Sequence, residues 1–468
     1  MPSSNEKTTI TPYGGVDEIG GNKILVDDGS TRIFLDFGKS YSRRGKFYDW
    51  IDRPRQVNGI GDLLILGIVP KVPGLYRKDL LTLAGEWNPS EEKDPSVDAV
   101  LLSHAHGDHA DYISLVREDI PIWMGEMTRG IIEFNEAEKK SDIEFEITKY
   151  KERPSQRNAS KIERKIRTFR TGKRFEIDTM SVEPIHVDHS IPGCYGFIIR
   201  TRNSTIAYTG DLRMHGNKPE LTEDFVKEAS DAKPDLLLCE GTRIQEATSM
   251  TEKEVFETCK FFVNHVRDSF VFAEYSYKDF DRFATFYELA KQTGRKLLIN
   301  PRTARYLETL SRLDPKLGVP RSDDENIGIY KKRVLKEDEG DEPYYKQSNV
   351  WTALDVNRKE SGVIFALERE ELIDVKPKGG VYIHANTEAY DEAGEVDEDR
   401  IRSWMEIFGL ERVHVHCSGH ASASELVRIV NRINPKRVVP IHTESANTFK
   451  VFFAERVTKA EQGRGIEL

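Results

Sequence analysis

The sequence predicts an α/β fold with a parallel sheet in its second half. Residues 8–36 contain short strand candidates joined by glycine turns, a pattern typical of a meander. Residues 270–273 and 296–299 are also strand candidates, and Lys278 to Thr293 between them has helical periodicity. A strand, a helix and a strand in this order form a βαβ unit, whose two strands run parallel.

The helix of this βαβ unit follows from its residue spacing. The residues Phe280, Phe283, Ala284 and Tyr287 fall on one side of a helix, so we expect one apolar face there. Gly294 follows the last turn and is expected to end the helix. Further strands are expected at residues 235–239 and 380–384, and a further helix at residues 397–408.

The chain is organised around a histidine-rich stretch that follows the apolar strand candidate at residues 99–102. The stretch has the pattern H-x-H-x-D-H, formed by His104, His106, Asp108 and His109. Imidazole nitrogens and carboxylate oxygens are the usual ligands of zinc and similar ions. His104 and His106 lie two residues apart and point the same way on an extended segment. Asp108 and His109 can then turn toward a second ion.

Composition indicates a globular chain without a secretory signal. The chain has 468 residues, 38% of them hydrophobic, which suggests two or three domains with sizeable cores. Met1 to Thr9 has no apolar core, and no run is long enough to span a membrane. The four cysteines form no CxxC pair, so we expect buried thiols in a reducing compartment and a cytoplasmic location. The net charge of -10 argues mildly against a nucleic-acid binder that uses its whole surface.

Three segments between residues 36 and 174 contain residues that could belong to a functional site. Asp36 ends a strand candidate, where an aspartate either forms a turn or supports a neighbouring loop. Tyr41 to Arg53 mixes aromatic and basic residues and is either a substrate-facing loop or a surface excursion. Lys149 to Arg174 has eleven Lys or Arg and two acids, so it either contacts a phosphate backbone or is a solvated face.

Further candidate ligands follow strand candidates later in the chain. His186 and His189 come after residues 181–185, and Asp211 ends the strand candidate at residues 204–211. Either histidine could complete a metal site, and the other would then be a neighbour. The segment His414 to Ser422 comes later, and Ser422 with Glu425 forms a capping box. The helix after it has a buried stripe of Leu426, Ile429, Val430 and Ile433, and a strand at residues 436–441 delivers His442.

The order of these motifs resembles the β-CASP branch of the metallo-β-lactamase superfamily, from about Thr11 to His442. The motifs are H-x-H-x-D-H, H-S-I-P, T-G-D, C-E-G-T, S-G-H-A-S and P-I-H. That branch includes ribonuclease J and the cleavage and polyadenylation nucleases. The resemblance implies an αββα sandwich with an inserted β-CASP domain that contains the parallel sheet. The boundaries we expect are 1–240 and 406–468 for the metallo-β-lactamase domain and 241–405 for the insertion.

The resemblance also implies a metal site and a catalytic pair. We expect two divalent ions, zinc or alternatively manganese. His104, His106 and His189 would hold one ion, whereas Asp108, His109 and His442 would hold the other, with Asp211 as a bridge. In this reading Asp36 supports the metal loop, and His186 is only a neighbour of His189. His420, oriented by Glu240, would protonate the leaving oxygen.

The implied function is a metal-dependent ribonuclease acting on single-stranded RNA, as a 5′–3′ exonuclease with endonuclease activity as the second mode. A histidine at position 442 is typical of RNA-acting members, which argues against a DNA 5′-nuclease. A non-catalytic RNA-binding protein would be expected to lose ligands, and a small-molecule hydrolase would not need the insertion. We expect no membrane association and leave a homodimer open. Only 26 residues follow His442, so the C-terminal domain of ribonuclease J is not expected.

Overall fold

The computed structural model describes residues 7–49, 51–85, 94–138, 143–153, 160–386 and 392–468. The chain divides into two compact units. Unit 1 comprises Met1–Met214, Lys218–Thr248 and Gly419–Leu468, and unit 2 comprises His215–Asn217 and Ser249–Ser418. The domain boundaries at residues 240 and 405 stay a prediction.

The described residues of unit 1 contain fifteen strands, thirteen before Ser249 and two after Ser418. The first thirteen are β1 (Thr9–Gly14), β2 (Lys23–Asp27), β3 (Arg32–Leu35), β4 (Ala99–Leu101), β5 (Ile122–Gly125), β6 (Lys149–Tyr150), β7 (Ile162–Glu163), β8 (Ile166–Phe169), β9 (Phe175–Ile177), β10 (Met180–Val187), β11 (Cys194–Arg200), β12 (Thr205–Tyr208) and β13 (Leu236–Glu240). Unit 2 contributes β14 (Phe270–Glu274), β15 (Lys296–Ile299), β16 (Ile327–Tyr330), β17 (Val350–Trp351), β18 (Val363–Phe365), β19 (Gly380–His384) and β20 (Leu410–His414). The last two strands of unit 1 are β21 (Arg437–Ile441) and β22 (Ile466–Glu467).

The helices of the described residues surround these strands. In unit 1 they are α1 (Tyr41–Gly45), α2 (Gly61–Ile65), α3 (Lys78–Ala84), α4 (Gly107–Ala110), α5 (Glu126–Glu138) and α6 (Pro219–Ala232). In unit 2 they are α7 (Glu252–His265), α8 (Phe280–Thr293), α9 (Pro301–Leu313), α10 (Glu342–Tyr345), α11 (Ala353–Arg358), α12 (Leu372–Val375) and α13 (Glu392–Phe408). Unit 1 ends with α14 (Ala423–Ile433) and α15 (Ala446–Phe453). No helix among the described residues combines the length and the apolar character that crossing a bilayer requires.

Unit 1 is a sandwich of two mixed sheets. One sheet has the order β22-β1-β2-β3-β4-β5-β8, and the other has the order β21-β13-β12-β11-β10-β9. One hydrophobic core lies between them and joins Ile24 and Leu101 of the first sheet to Phe197 and Leu238 of the second. The strands of the meander, β1 to β3, pair antiparallel as predicted. This sandwich agrees with the predicted αββα class.

Unit 2 contains the predicted parallel sheet. Its order is β17-β16-β15-β18-β14-β19-β20, and every pair in it is parallel. Separate apolar clusters cover its two faces, as parallel sheets require because both faces must be buried. β14, α8 and β15 form the predicted βαβ unit.

The predicted aromatic face of α8 packs against the core of unit 2, and the helix begins at Phe280 rather than at the predicted Lys278. The helix ends before Gly294, which has φ of 69° as predicted for a C-terminal glycine. Phe280 and Tyr287 are only half-buried and flank Phe283 at ring distances of 6.1 and 6.0 Å. The apolar residues that are buried are Phe283, Phe286, Leu289 and Ala290. Aromatic spacing thus identified part of the buried face, and packing against the sheet extends that face to Phe286, Leu289 and Ala290.

The predictions for α14 and for the cysteines are confirmed. Ser422 and Glu425 form the capping box at the start of α14. The predicted stripe of α14 is buried at Leu426, Ile429, Val430 and Ile433. All four cysteines are buried free thiols.

Candidate metal centre

The candidate metal centre forms where strands of both unit 1 sheets end. In the first sheet β3 and β4 run parallel, and in the second sheet β10, β12, β13 and β21 all point one way. Polar residues follow or end each of these strands at the carboxyl end. They are Asp36, His104, His189, Asp211, Glu240 and His442. Parallel strands bring their carboxyl ends to one edge, so residues distant in sequence meet there.

The first group of candidate ligands contains three histidines and Asp211. His104 Nε2 lies 3.0 Å from His106 Nδ1, which lies 3.1 Å from His189 Nε2. The Asp211 Oδ2 atom lies 3.6 Å from His104 Nε2 and 3.8 Å from His189 Nε2. These are the three histidines that the sequence assigned to one ion.

The second group shares Asp211 and adds Asp108, His109 and His442. His109 Nε2 lies 3.1 Å from Asp211 Oδ2 and 3.8 Å from Asp108 Oδ2. His442 Nε2 lies 3.1 Å from Asp108 Oδ2 and 3.6 Å from Asp211 Oδ2. A single carboxylate therefore lies within reach of both groups, as the bridging assignment requires.

The donor atoms fit divalent metal ions. A tetrahedral ion with bonds of about 2.0–2.1 Å separates its ligand atoms by roughly 3.3 Å, close to the distances in both groups. Asp211 Oδ1 is buried and has no hydrogen-bond partner among the described residues, so a ligating role would satisfy it. Imidazole and carboxylate together suit zinc and related ions. The clustering thus supports divalent metal binding.

The second ring nitrogen of four candidate ligands is held by a hydrogen bond. His189 Nδ1 lies 2.5 Å from the Gly419 carbonyl oxygen, and His442 Nδ1 lies 2.8 Å from Thr242 Oγ1. His109 Nδ1 lies 2.7 Å from Asp36 Oδ2, and His104 Nδ1 lies 3.0 Å from Ser103 Oγ. Such contacts fix each ring so that Nε2 points into the site.

Asp36 connects this hydrogen-bond network to the opposite sheet. Its Oδ1 accepts from the Ser103 backbone N–H at 2.7 Å, and its Oδ2 accepts from the Ser103 hydroxyl at 2.8 Å. The Tyr208 hydroxyl, on β12 of the other sheet, also donates to Oδ2 at 2.5 Å. The backbone of Asp36 is left-handed, with φ of 56°, which turns its carboxylate toward the loop. The sequence singled out Asp36 but not Tyr208.

Substituting Tyr208→Phe should weaken metal binding about ten- to a hundredfold. The change removes one hydrogen bond from Asp36, and partners of ligand-orienting carboxylates typically have effects of this size. Competition with a chromophoric zinc chelator measures the affinity. Tyr306→Phe in unit 2 is the control. The Tyr306 ring is buried, and its hydroxyl donates to the Lys278 carbonyl, so this change also removes one hydrogen bond of a buried tyrosine. Equal affinity in the Tyr208 variant and the wild type would contradict the role given to this tyrosine.

Two glycines allow the metal loop, His104 to His109, to pass close to neighbouring backbone. A Cβ atom on Gly38 would lie 1.6 Å from the Asp108 carbonyl oxygen. Gly20 has φ of 77°, and a Cβ there would lie 2.5 Å from Asp108 Oδ2. Both positions therefore require glycine for steric reasons.

The charges of the site differ between the two groups of candidate ligands. Burial alone would raise the pKa of Asp211, but the imidazoles of His109, His442 and His420 hold it well below the usual carboxylate range. Burial holds the pKa of His104 and His189 well below that of a free imidazole. Burial lowers the pKa of His109 and His442, but the Asp211 and Asp108 carboxylates raise it by more. Neutral imidazole is the form that binds metal ions, so these two rings would release a proton when an ion binds.

His420 and Glu240 lie beside Asp211, but Glu240 acts mainly on the backbone. Glu240 Oε2 is 3.6 Å from His420 Nδ1, which is longer than a hydrogen bond. Its Oε1 accepts from the Ala421 N–H at 3.1 Å, and its Oε2 accepts from the Thr242 N–H at 3.0 Å. Glu240 therefore fixes the chain next to His420 rather than the ring itself.

Thr242 is the functional candidate that sequence reasoning missed. Its hydroxyl lies 3.1 Å from His420 Nδ1 and 2.8 Å from His442 Nδ1, so it joins the acid candidate to a metal-ligand candidate. The available signal was its place two residues after Glu240 in the C-E-G-T motif. His186, the other histidine considered as a ligand, belongs to neither group and packs on the Tyr195 ring at 4.2 Å.

Two family models match the chain. A beta-lactamase superfamily domain matches residues 72–265, which include all the candidate ligands except His442. A Zn-dependent metallo-hydrolase RNA specificity domain matches residues 410–459, which include His420 and His442.

Curated relatives match over most of this chain. Ribonuclease J of Sinorhizobium meliloti is 24% identical over 460 residues, which cover 95% of this chain and 70% of the relative. Ribonuclease J of Corynebacterium glutamicum is 23% identical, and the match covers 93% of this chain and 53% of the relative. Ribonuclease J of Pyrococcus abyssi is 21% identical, with 93% and 89% covered. The chain thus spans between about half and nine-tenths of the length of these relatives.

A solved structure supports the fold. A protein of unknown function from Enterococcus faecalis V583 has a TM-score of 0.76 to this chain at 22% identity. The match covers 99% of this chain and 100% of the other.

Proposed function

We propose that this chain, which belongs to the β-CASP branch of the metallo-β-lactamase superfamily and is ribonuclease J-like, hydrolyses RNA phosphodiester bonds with bound metal ions. The observation that carries the proposal is the position of Asp211 between two histidine-rich groups. A pair of adjacent ions sharing a carboxylate is the arrangement that suits phosphodiester hydrolysis.

The proposed site holds two ions, most simply zinc, given the Zn-dependent metallo-hydrolase match. His104, His106 and His189 would hold one ion, Asp108, His109 and His442 the other, and Asp211 both. Ions at such a site supply a nucleophile at neutral pH and neutralise charge on the phosphate. The chain itself orients the histidines through Asp36, Ser103 and Thr242 and excludes water from the site by burying their rings.

His420 is the proposed general acid. The His420 side chain is 20% exposed, and its Nδ1 lies 4.0 Å from Oδ2 of Asp211, whose side chain is 2% exposed. His420 therefore lies at the open side of the site, where substrate would enter. Thr242 and Glu240 hold this residue in place through the hydroxyl and the Ala421 backbone. A proton from the ring would neutralise the leaving oxygen as the phosphodiester bond breaks.

The proposed substrate is single-stranded RNA, cleaved from its 5′ end with internal cleavage as a second mode. We propose a cytoplasmic location, and a homodimer stays a prediction. A DNA 5′-nuclease remains the second candidate because the same ions would cleave DNA, but the RNA-specificity match at residues 410–459 favours RNA. A binding protein without activity would not need so complete a set of ligand candidates.

The test is cleavage of end-labelled, 5′-monophosphorylated single-stranded RNA beside DNA of the same sequence. We expect the RNA to be degraded with release of mononucleotides, and the activity to disappear with a chelator and return with zinc or manganese. Discrete internal fragments would indicate endonucleolytic cleavage. Cleavage of DNA alone, or of neither strand by protein with measured metal content, would refute the proposal.

A further inference from the structure

The turn Arg170 to Arg174 lies at the same edge of unit 1 as the metal centre. It follows β8, which is parallel to β5, and β5 is parallel to β4. The turn after β8 and the metal loop after β4 are therefore at carboxyl ends of the same sheet, two strand positions apart. Neighbouring strands lie about 4.8 Å apart, so the turn is roughly 10 Å along the edge from the metal loop.

Contacts with β10 place the same turn near His189. Thr171 Oγ1 accepts from the His186 N–H at 3.0 Å, and the Gly172 N–H donates to the Pro184 carbonyl at 2.8 Å. His189 follows His186 by three residues, which corresponds to about 10 Å of extended chain. Both sets of contacts thus place the turn within roughly 10 Å of candidate ligands.

Aromatic stacking at both ends holds the turn in place. Phe169 precedes the turn and Phe175 follows it, and their rings stack at 5.7 Å. Phe175 also stacks on Trp123 of β5 at 4.2 Å, with an angle of 5° between the rings. The Lys173 N–H closes the turn by donating to the Arg170 carbonyl at 3.1 Å. A rigid turn loses little conformational entropy when it binds a ligand.

The turn presents cations that nearby carboxylates only partly neutralise. Arg170 pairs with Glu126 at 2.9 Å, with exposures of 73% and 49%, and such an exposed pair is weak, so a phosphate can replace this carboxylate. Arg174 pairs at 2.8 Å with Glu183, a 16% exposed carboxylate that Arg200 also contacts at 3.1 Å, so one carboxylate faces two guanidinium groups there. The exposed Lys173 has no carboxylate within 4 Å in the described part of the chain.

We propose that the turn Arg170 to Arg174 binds the phosphate backbone of single-stranded RNA beyond the scissile bond. The proposal rests on the proposed function. If the RNA strand is stacked with the roughly 3.4 Å axial spacing of one duplex strand, roughly 10 Å corresponds to about three nucleotides. The turn would therefore contact RNA that is long enough to extend this far from the metal centre, and it would not contact shorter substrates.

This assignment selects one part of the basic stretch at residues 149–174. Residues 154–159 of that stretch lie outside the described residues. Lys165 precedes β8 and so lies at the opposite end of the strand from the turn. Lys149 and Lys161 are exposed residues of the segment that leads to β8. These three lysines make a matched control, because their removal changes the net charge by the same amount.

The experiment compares the triple variant R170Q/K173Q/R174Q with the control K149Q/K161Q/K165Q. Steady-state cleavage is measured on 5′-phosphorylated RNAs of two to ten nucleotides at several salt concentrations. Hydrolysis of bis(p-nitrophenyl) phosphate is measured in parallel, since this small diester reaches the metal centre but not the turn. For ten-nucleotide RNA we expect KM of the turn variant to rise about ten- to a hundredfold at 0.1 M salt.

The dependence of RNA cleavage on salt concentration and on RNA length shows whether the turn binds phosphates. The slope of log kcat/KM against log salt should become shallower by about 2 in the turn variant, or roughly 0.7 for each lost phosphate contact. The gain in affinity beyond about three nucleotides should disappear, and hydrolysis of the small diester should stay at the wild-type rate.

An unchanged KM, an equal effect in the control variant, or an equal loss on the small diester would overturn the proposal. The last result would mean that the turn only supports the fold of the site. Failure of the proposed function is distinguishable, because the wild type itself would then leave RNA intact, whether or not it hydrolyses the small diester.

Discussion

Substituting Asp211→Asn should reduce RNA cleavage by at least about 10⁴-fold, which is about 5.4 kcal/mol of transition-state stabilisation. The Asp211 Oδ2 atom lies 3.1 Å from His109 and 3.6 Å from both His104 and His442. An amide of the same shape removes the negative charge that both ligand groups share. Both ions should therefore bind more weakly, and metal analysis of the purified variant should show a loss.

The fold of the Asp211→Asn variant should persist, because the side chain is the same size and lies among imidazoles rather than in the apolar core. Circular dichroism and thermal unfolding in the presence of chelator check this, since metal binding then cannot contribute to stability. Asp231→Asn, at an exposed position on α6, is the matched control and should retain activity and metal. Normal cleavage by the Asp211 variant would refute the assignment of the bridging carboxylate.

Substituting His420→Gln should lower kcat on RNA by about 10² to 10⁴, the usual contribution of a general acid. The same variant should hydrolyse bis(p-nitrophenyl) phosphate within a few-fold of the wild-type rate. The reason is that nitrophenolate is a stable leaving group and needs no proton, whereas the sugar hydroxyl of RNA does. The ratio of the two rates therefore separates proton donation from other roles of this residue.

The control for this variant is His265→Gln, an exposed histidine near the end of α7. It should leave both rates unchanged. Metal content of the His420 variant should match the wild type, because the ring belongs to neither ligand group. Equal losses on RNA and on the small diester would show that His420 positions the phosphate and does not protonate the leaving oxygen.

Several features of this protein follow from local sequence. The capping box of α14 and the glycine at the end of α8 involve residues close together in the chain, so short-range rules are sufficient. The candidate ligands follow apolar strands, and the sequence already showed the strand ends at residues 99–102 and 204–211. The sequence nominated the residues that the structure groups around Asp211, and their metal-binding role stays a prediction.

Other features depend on which strands are neighbours, and a sequence alone does not state this. The link from Tyr208 to Asp36 joins two sheets across 172 residues of sequence separation, and Thr242 reaches His442 across 200. The full width of the buried face of α8 was open for the same reason, because the sheet that covers it comes from other segments.

The position of the turn Arg170 to Arg174 also depends on which strands are neighbours. The composition of residues 149–174 showed positive charge but left both a solvated face and a phosphate contact open. Pairing of β8 with β5 decides which end of that stretch reaches the edge that carries the candidate metal centre. Sequence determines chemistry and local conformation because both act over a few residues, whereas the meeting of distant strand ends is decided by long-range pairing and packing.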